Sequence, residues 1–331
     1  MKALQLVEYE HFELVDLPVP EFAEDEVLIK VRACGICGSD VHGMDGSTGR
    51  RIPPIVMGHE ASGDIVAVGS QTTGWKPGDR VAFDSTIFCG KCAYCLSGSV
   101  NLCDNRQVLG VSCEDYRRQG AFAEFVAVPE RVLCRIPEGL GYERAAMVEP
   151  VAVSVHGVFR AGVHPSDRVV VIGAGMIGLL VVQVLKARGV AEITAVDIDP
   201  EKRKLAAELG ADRTAESSVG MDLDASIEAV GITETVDMAL RSVRKGGRVS
   251  LIGNFSPTVL WPLQVAVTRE LSVFGSCASQ GDYEESLRLI ASGSVQVDPL
   301  ISARIGLGEA PGYFARLHAR EPGLMKVMVC P

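Results

Sequence analysis

One run of residues restricts the fold more than any other: Val169-Val-Val-Ile172 breaks into Gly173-Ala-Gly175-Met176-Ile177-Gly178 and then resumes as an apolar stretch. A short β-branched run that meets three glycines at this spacing and continues with helical periodicity reads as strand, tight turn and helix. Gly173 permits the turn, Gly175 lets backbone N–H groups approach a pyrophosphate at the positive helix end, and Gly178 lets helix and sheet pack closely. Met176 and Ile177 fall in the first turn of that helix, at the phosphate-facing end. The stretch from Val169 to Leu185 nears membrane-span length, but the glycines and Gln183 interrupt it, so a transmembrane helix is rejected.

The same texture continues downstream. Strands are expected at Arg168 to Ile172 and Ile193 to Val196, with helices from about Ile177 to Arg188 and from Pro200 to Leu209. The second helix has Asp199 as N-cap, Pro200 in its first position and Gly210 just past its end. Further strands are expected at about Ala225 to Val230, Arg248 to Gly253 and Leu271 to Gly275, so a parallel α/β sheet ends near residue 280. Asp197 closes the second strand about twenty residues beyond Gly178, where a carboxylate can accept hydrogen bonds from adenosine ribose hydroxyls. A 2′-phosphate would meet that carboxylate as a like charge, which favours NAD over NADP, although Lys202 and Arg203 nearby leave room for dual use. The competing reading of Asp197 is a solvated loop carboxylate.

The preceding part has a different grammar. Val27, Ile29 and Val31 alternate along one face of a strand, and Trp75-Lys-Pro-Gly-Asp-Arg-Val-Ala-Phe83 reads as a turn entering another. Recurrent glycine and proline, as at Pro53-Pro54, Gly69 and Pro77-Gly78, suits a barrel-like set of short strands. At 331 residues the chain exceeds what one core usually supports, and 47% apolar content suffices for two. The net charge of −10 is spread along the chain, so neither nucleic acid nor an anionic membrane is an expected partner.

Four cysteines, Cys89, Cys92, Cys95 and Cys103, follow a C-x-x-C-x-x-C-x7-C spacing. Four thiolates at these gaps close around one tetrahedral zinc and leave no open position, so this metal is expected to hold a lobe of about residues 85–106 together. A disulfide framework would need an oxidising compartment, and the Met-Lys-Ala-Leu-Gln opening carries no apolar signal region, which makes a cytoplasmic location the expectation. The ferredoxin pattern would need C-x3-C-P, which Cys103 does not satisfy.

A second, incomplete ligand set lies upstream. Cys37 stands in Cys-Gly-Ile-Cys37-Gly-Ser39-Asp-Val-His42, and Gly58-His59-Glu60 follows about twenty residues later. One thiolate and one imidazole are half a tetrahedral set, and a catalytic zinc needs a third protein ligand, for which Glu60 and Glu149 are candidates. Cys34 and Cys37 also fit a redox pair, but the βαβ context of that motif is missing, and Cys34 reads better as a packed, inert thiol. His156 and His164 lack neighbouring ligand patterns and read as structural or surface histidines. Ser39 and Asp40 have a local reading as caps of a following helical turn.

Taken in order, Gly35-Ile-Cys37-Gly-Ser39-Asp-Val-His42, Gly58-His59-Glu60-Ala-Ser-Gly, the four-cysteine lobe, Val148-Glu149-Pro150 and the glycine fingerprint resemble the zinc-containing medium-chain alcohol dehydrogenases over essentially the whole chain. The chain is most similar to the branch of polyol, threonine and sugar-alcohol-phosphate dehydrogenases, because Glu149 stands where liver-type enzymes have a zinc-ligating cysteine. The resemblance implies an α/β protein: a GroES-like β-rich catalytic domain of residues 1–148 and 281–331, plus a Rossmann doubly wound parallel-sheet NAD-binding domain of residues 149–280. It implies an active site in the cleft between them and a homo-oligomer, tetramer or dimer. It puts a catalytic zinc on Cys37 and His59, with Glu60 as a direct or exchangeable ligand and Glu149 bound directly or through water. Zinc would act as a Lewis acid on the substrate hydroxyl, and Ser39 and His42 match the family's proton relay.

The expected activity is therefore zinc-dependent, reversible oxidation of a secondary alcohol to a ketone with NAD as hydride acceptor. A polyol, a sugar alcohol or its phosphate, or a hydroxy amino acid would be the substrate. Competing readings are an L-threonine 3-dehydrogenase type activity, a dehydrogenase-shaped nucleotide binder without turnover, and a zinc-independent reductase of the quinone-reductase kind. Sorbitol dehydrogenases place an aromatic residue after the relay histidine and an arginine in the strand leading to the last catalytic segment. This chain has Gly43 and Phe274-Gly275-Ser276-Cys277 there, which counts against plain sorbitol, and its Gly275-Ser276 is similar to the galactitol-phosphate type. Arg50-Arg51 and Arg117-Arg118 are candidate binders of a substrate anion, against a reading as solvated surface arginines.

Overall fold

The computed structural model describes all residues except 112–116, 218–219 and 221. Two compact units are formed: Met1–Glu149 with Tyr283–Ala291 and Val297–Pro331, and Pro150–Asp282 with Ser292–Gln296.

The first unit is organised around the strand Glu26–Gly35. Val27, Ile29 and Val31 are buried while Lys30 and Arg32 face solvent, as the period of two requires. This strand pairs antiparallel with Glu60–Val68, Phe125–Pro129 and Lys326–Val329. The sheet extends through Arg80–Phe83 and Leu133–Arg135 on one side and Ile301–Ile305 on the other. Its core includes the fully buried rings of Phe83, Phe122 and Phe314, the last two meeting edge to face with centroids 5.9 Å apart. Each such burial contributes about 1.5–3 kcal/mol. A smaller sheet pairs Thr86 with Val108 and Ile87 with Gln107, closing the neck of the segment that carries the four cysteines.

The second unit holds six parallel strands in the order Arg213–Ala215, Glu192–Val196, Arg168–Ile172, Leu223–Glu228, Val243–Leu251, Ser272–Gly275. The order reverses beside Arg168–Ile172, the switch point at which such sheets bind ligands outside the strand C-termini. Helix Met176–Ala187 follows the fingerprint. Helix Pro200–Glu208 begins where the Asp199 carboxylate accepts the Glu201 N–H at 2.9 Å, and Gly210 follows its end at φ +117°. The expected strand Arg248 to Gly253 is found as Val243–Leu251, and the expected strand Ala225 to Val230 is shifted two residues earlier to Leu223–Glu228. The cause is local: the buried Glu228 carboxylate accepts the N–H groups of Val230 and Gly231 at 2.8 and 2.7 Å and turns the chain out of the sheet. The apolar stretch from Val169 to Leu185 is divided between strand and helix, and among the described residues no helix is long and apolar enough to cross a membrane.

Candidate metal and nucleotide sites

Three unlike donors meet in the first unit. Cys37 ends the approach from the central strand and is the N-cap residue of the short helix Gly38–Val41. Glu60 opens the neighbouring strand and sits opposite Gly35 in the ladder, with His59 just before it. A Cβ on Gly35 would lie 2.1 Å from Glu60 Oε2, so the missing side chain makes space for that carboxylate. The Cys37 sulfur, a His59 ring nitrogen and a Glu60 oxygen all lie within 4.8 Å of one another. Ligand separations around tetrahedral zinc are about 3.3–3.8 Å for the usual Zn–S, Zn–N and Zn–O lengths, so one ion can reach all three.

The surroundings suit a cation. His59 is buried, and its Nδ1 faces Asp40 Oδ1 at 3.4 Å, ion-pair range without a formed hydrogen bond. That leaves Nε2 for a metal, the orientation a supporting carboxylate normally enforces. Burial opposes charge on the ring, but Asp40 and Cys37 outweigh it and hold His59 well above the usual histidine range. Asp40 is fully buried; burial works against its charge, yet His59 and Arg51 keep it well below the usual carboxylate range. Glu149 lies outside the three-donor group but within its field. Burial pushes its carboxyl up to about 7, with His59 opposing, Glu60 adding and Lys326 opposing.

Lys326 is the residue that sequence reasoning missed. Its Nζ donates to both Glu60 oxygens at 2.7 and 2.6 Å and to the Ile36 carbonyl at 3.1 Å, with both side chains buried. Burial alone would lower its pKa, but Glu60 and Cys37 raise it. A single lysine inside the apolar run Met325-Lys326-Val327-Met328-Val329 was the available signal.

Ser39 and His42 stand three residues apart on the Gly38–Val41 turn, the spacing that places side chains on one helix face. Ser39 and Asp40 do not cap a following turn: both lie within the helix Gly38–Val41, whose N-cap is Cys37. Asp40 Oδ2 reaches back to accept the Cys37 N–H at 3.3 Å, and Oδ1 is directed at His59 and Arg51. Partial burial, then Arg320 and His318, hold His42 below the usual histidine range, which favours its neutral form. Three of the four arginines proposed for a substrate anion are committed elsewhere. Arg51 is buried on Asp40, Arg118 pairs with Glu26 and Gln107, and exposed Arg117 donates to the Pro54 carbonyl; Arg50 is exposed with its guanidinium outside these pairings. Cys34 is fully buried with its thiol raised by burial, His164 is exposed, and His156 is buried 3.4 Å from Asp282.

Cys89, Cys92, Cys95 and Cys103 form a closed set. Cys92 and Cys95 sulfurs lie 3.5 Å apart and those of Cys89 and Cys95 4.0 Å, close to the edge of a zinc–thiolate tetrahedron, and with Cys103 all four fall within one ion's reach. Backbone N–H groups, that of Lys91 first, push the Cys89 thiol down to about 6, whereas desolvation and the Cys92 sulfur push Cys95 up to about 12. The described cysteines are all free thiols.

In the second unit, a Cβ on Gly178 would lie 1.7 Å from the Gly173 carbonyl oxygen, so this glycine is imposed by helix–turn packing. Gly175 differs: a Cβ there would meet nothing within 4 Å. Its bareness answers no need of the protein itself and leaves open the approach to the helix N-terminus at Met176 and Ile177, as a bound pyrophosphate requires. Asp197 is not a free loop carboxylate, because Oδ2 accepts the Ala174 N–H at 2.8 Å and Oδ1 the Asp199 N–H at 2.9 Å. Arg203 donates to the carbonyls of Asp197 and Ile198, and Lys202 lies 4.0 Å from Asp199.

Comparison with known proteins finds two family matches along the chain. Residues 23–138 match the alcohol dehydrogenase GroES-like domain and residues 177–292 the zinc-binding dehydrogenase domain. The chain is 32% identical to sorbitol dehydrogenase of Bacillus subtilis (strain 168), covering all of this chain and 97% of that one. Galactitol-1-phosphate dehydrogenase from Escherichia coli superposes with a TM-score of 0.92 at 29% identity over the whole of both chains. A zinc-binding dehydrogenase fold from Sinorhizobium meliloti 1021, bound to NADP, gives 0.90 at 34% identity, covering all of this chain and 99% of that one. The chain thus belongs to the zinc-containing medium-chain alcohol and polyol dehydrogenase family, as an oxidoreductase of GroES-like and Rossmann-like domains acting on an alcohol with a nicotinamide cofactor.

Proposed function

We propose that this dehydrogenase oxidises a secondary hydroxyl of a polyol, a sugar alcohol or its phosphate to the ketone, reversibly and with NAD as acceptor. The observation that carries the reading is the convergence of sulfur, nitrogen and oxygen donors from Cys37, His59 and Glu60. These three, with Glu149 direct or through water, would hold the catalytic zinc, and Cys89, Cys92, Cys95 and Cys103 the structural one. When bound, zinc supplies Lewis acidity to the substrate hydroxyl and NAD supplies the hydride acceptor. The chain's own part is to take the proton: Ser39 accepts it from the hydroxyl and passes its own to neutral His42, which releases it to solvent. Residues 1–148 and 281–331 would supply this chemistry, and residues 149–280 the nucleotide.

For the cofactor, Gly173, Gly175, Met176, Ile177 and Gly178 would face the pyrophosphate and Asp197 the ribose. Both Asp197 oxygens brace backbone N–H groups, so the carboxylate cannot swing aside for a 2′-phosphate, which favours NAD. Lys202 stands at the same edge. Exposed Leu260, Leu263 and Val267 precede the outermost strand Ser272–Gly275, a combination that supports a homo-oligomer, tetramer or dimer. A reducing cytoplasm is the proposed location, where the sulfurs of Cys37, Cys89, Cys92, Cys95 and Cys103 stay reduced and able to hold zinc.

The test is NADH formation by zinc-loaded protein on sugar alcohols, their phosphates, L-threonine and simple secondary alcohols, with NADP in parallel. Preference for polyols or their phosphates with NAD supports the reading; exclusive turnover of L-threonine, or of NADP, would replace it. Asp197→Ala should weaken NAD binding by about 1–3 kcal/mol, read as Kd by fluorescence titration.

A further inference from the structure

Arg51 is 2% exposed although it directly follows the exposed residues 47–50, and its guanidinium is held by named partners. Nη2 donates to Asp40 Oδ1 at 2.9 Å and to Ser39 Oγ at 3.3 Å; Nε donates to the same Asp40 oxygen at 3.3 Å, and Nη1 to the Arg50 carbonyl at 3.3 Å. That Asp40 oxygen is the one facing His59 Nδ1, while the other Asp40 oxygen receives the Cys37 N–H. One guanidinium therefore touches the carboxylate that stands behind two proposed ligands, and also the hydroxyl that begins the proposed relay. The position is available because residue 43 has no side chain: a Cβ on Gly43 would lie 2.6 Å from Arg51 Cγ and 2.9 Å from the Ser39 carbonyl oxygen.

We infer that Arg51, admitted by Gly43, is a positioning residue for the reaction, setting the place of Asp40 against His59 and the polarity of the Ser39 hydroxyl together. A donor on Ser39 Oγ occupies one lone pair, so the hydroxyl keeps one acceptor site for the substrate proton and must direct its own proton elsewhere. The rigid fork of the guanidinium allows both tasks at once; a lysine ammonium is a point charge and can neutralise Asp40 without fixing both partners. The inference deepens the zinc-dependent reading above and rests on it.

The test compares Arg51→Met, which keeps much of the volume, and Arg51→Lys, which keeps the charge, with wild type, all at equal measured metal content. Zinc-dependent turnover of the wild type is recorded first, so failure of the parent reading appears as an inactive wild type. The expected result is a fall in kcat of about 10- to 100-fold for Arg51→Met, with KM changed much less, and incomplete recovery in Arg51→Lys. Cobalt(II)-loaded Arg51→Met should show a displaced visible absorption band, because the ring behind Asp40 is no longer held. Gly43→Ala, whose Cβ would press on Arg51 Cγ and on the Ser39 carbonyl oxygen, should lose at least as much kcat as Arg51→Met and displace the cobalt band in the same way. Wild-type kcat and cobalt spectrum in both Arg51→Met and Gly43→Ala would overturn the inference. So would full recovery in Arg51→Lys, which would reduce Arg51 to a counter-charge.

Discussion

Lys326→Met asks whether the buried ammonium and a metal ion are alternatives on the same carboxylate. Lys326 Nζ lies 2.7 and 2.6 Å from the two Glu60 oxygens, and the side chains are 3% and 1% exposed, so water cannot replace the lysine. Methionine fills nearly the same volume but leaves a buried carboxylate without its partner, a change that costs about 3–5 kcal/mol in metal-free protein. With zinc bound, Glu60 retains a counter-charge, and the remaining loss is mainly the hydrogen bond to the Ile36 carbonyl, about 1 kcal/mol. At roughly 2–4 °C per kcal/mol for a unit of this size, the metal-free variant should melt about 6–20 °C below metal-free wild type, and the zinc-loaded pair within about 4 °C. By linkage, zinc should bind the variant more tightly by the difference, roughly thirtyfold to several hundredfold. Calorimetric melts of both proteins, with chelator and with zinc, give the comparison, and the lobe's metal cancels in each pair. Equal losses in both metal states would refute the reasoning, because Glu60 would then need Lys326 whether or not a metal is present.

Two further outcomes follow from the same geometry. Cys95→Ala opens a four-sulfur set, so metal analysis should find one zinc fewer per chain and the lobe should become protease-sensitive; a variant with full zinc content and resistance would contradict a structural site there. Arg320→Gln removes a positive neighbour of His42, which makes protonation easier and raises the His42 pKa from its depressed value. Less of the relay is then neutral in mild acid, so the acid limb of the kcat/KM profile should move to higher pH; no shift, or a shift to lower pH, would remove Arg320 from the relay's field.

What the sequence made legible was local. The fingerprint, the Asp199 cap, Pro200 and Gly210 each act within a few residues, and strand and helix stand where those signals place them. The turn after Glu228 was less legible, because a buried carboxylate folding back on its own backbone ended a strand whose apolar pattern ran on to Val230. Contacts distant in sequence were not legible at all. Lys326 and Glu60 are 266 positions apart, and only the antiparallel pairing of Lys326–Val329 with the central strand brings them together. Paired arginines read as surface or anion binders for the same reason: nothing near Arg51 in sequence reveals that Gly43 leaves a slot for it or that Asp40 lies at the end of that slot.

The measurement closest to the central claim is metal-dependent turnover of wild type and Cys37→Ala. Both are stripped with chelator and titrated with zinc to two equivalents per chain, with NADH formation and NAD affinity followed in parallel. The account predicts that wild-type turnover disappears and returns with zinc. Cys37→Ala should remain inactive at every zinc level while binding NAD with nearly wild-type affinity and keeping the lobe's zinc. Normal turnover by Cys37→Ala, or full activity of thoroughly stripped wild type, would contradict it.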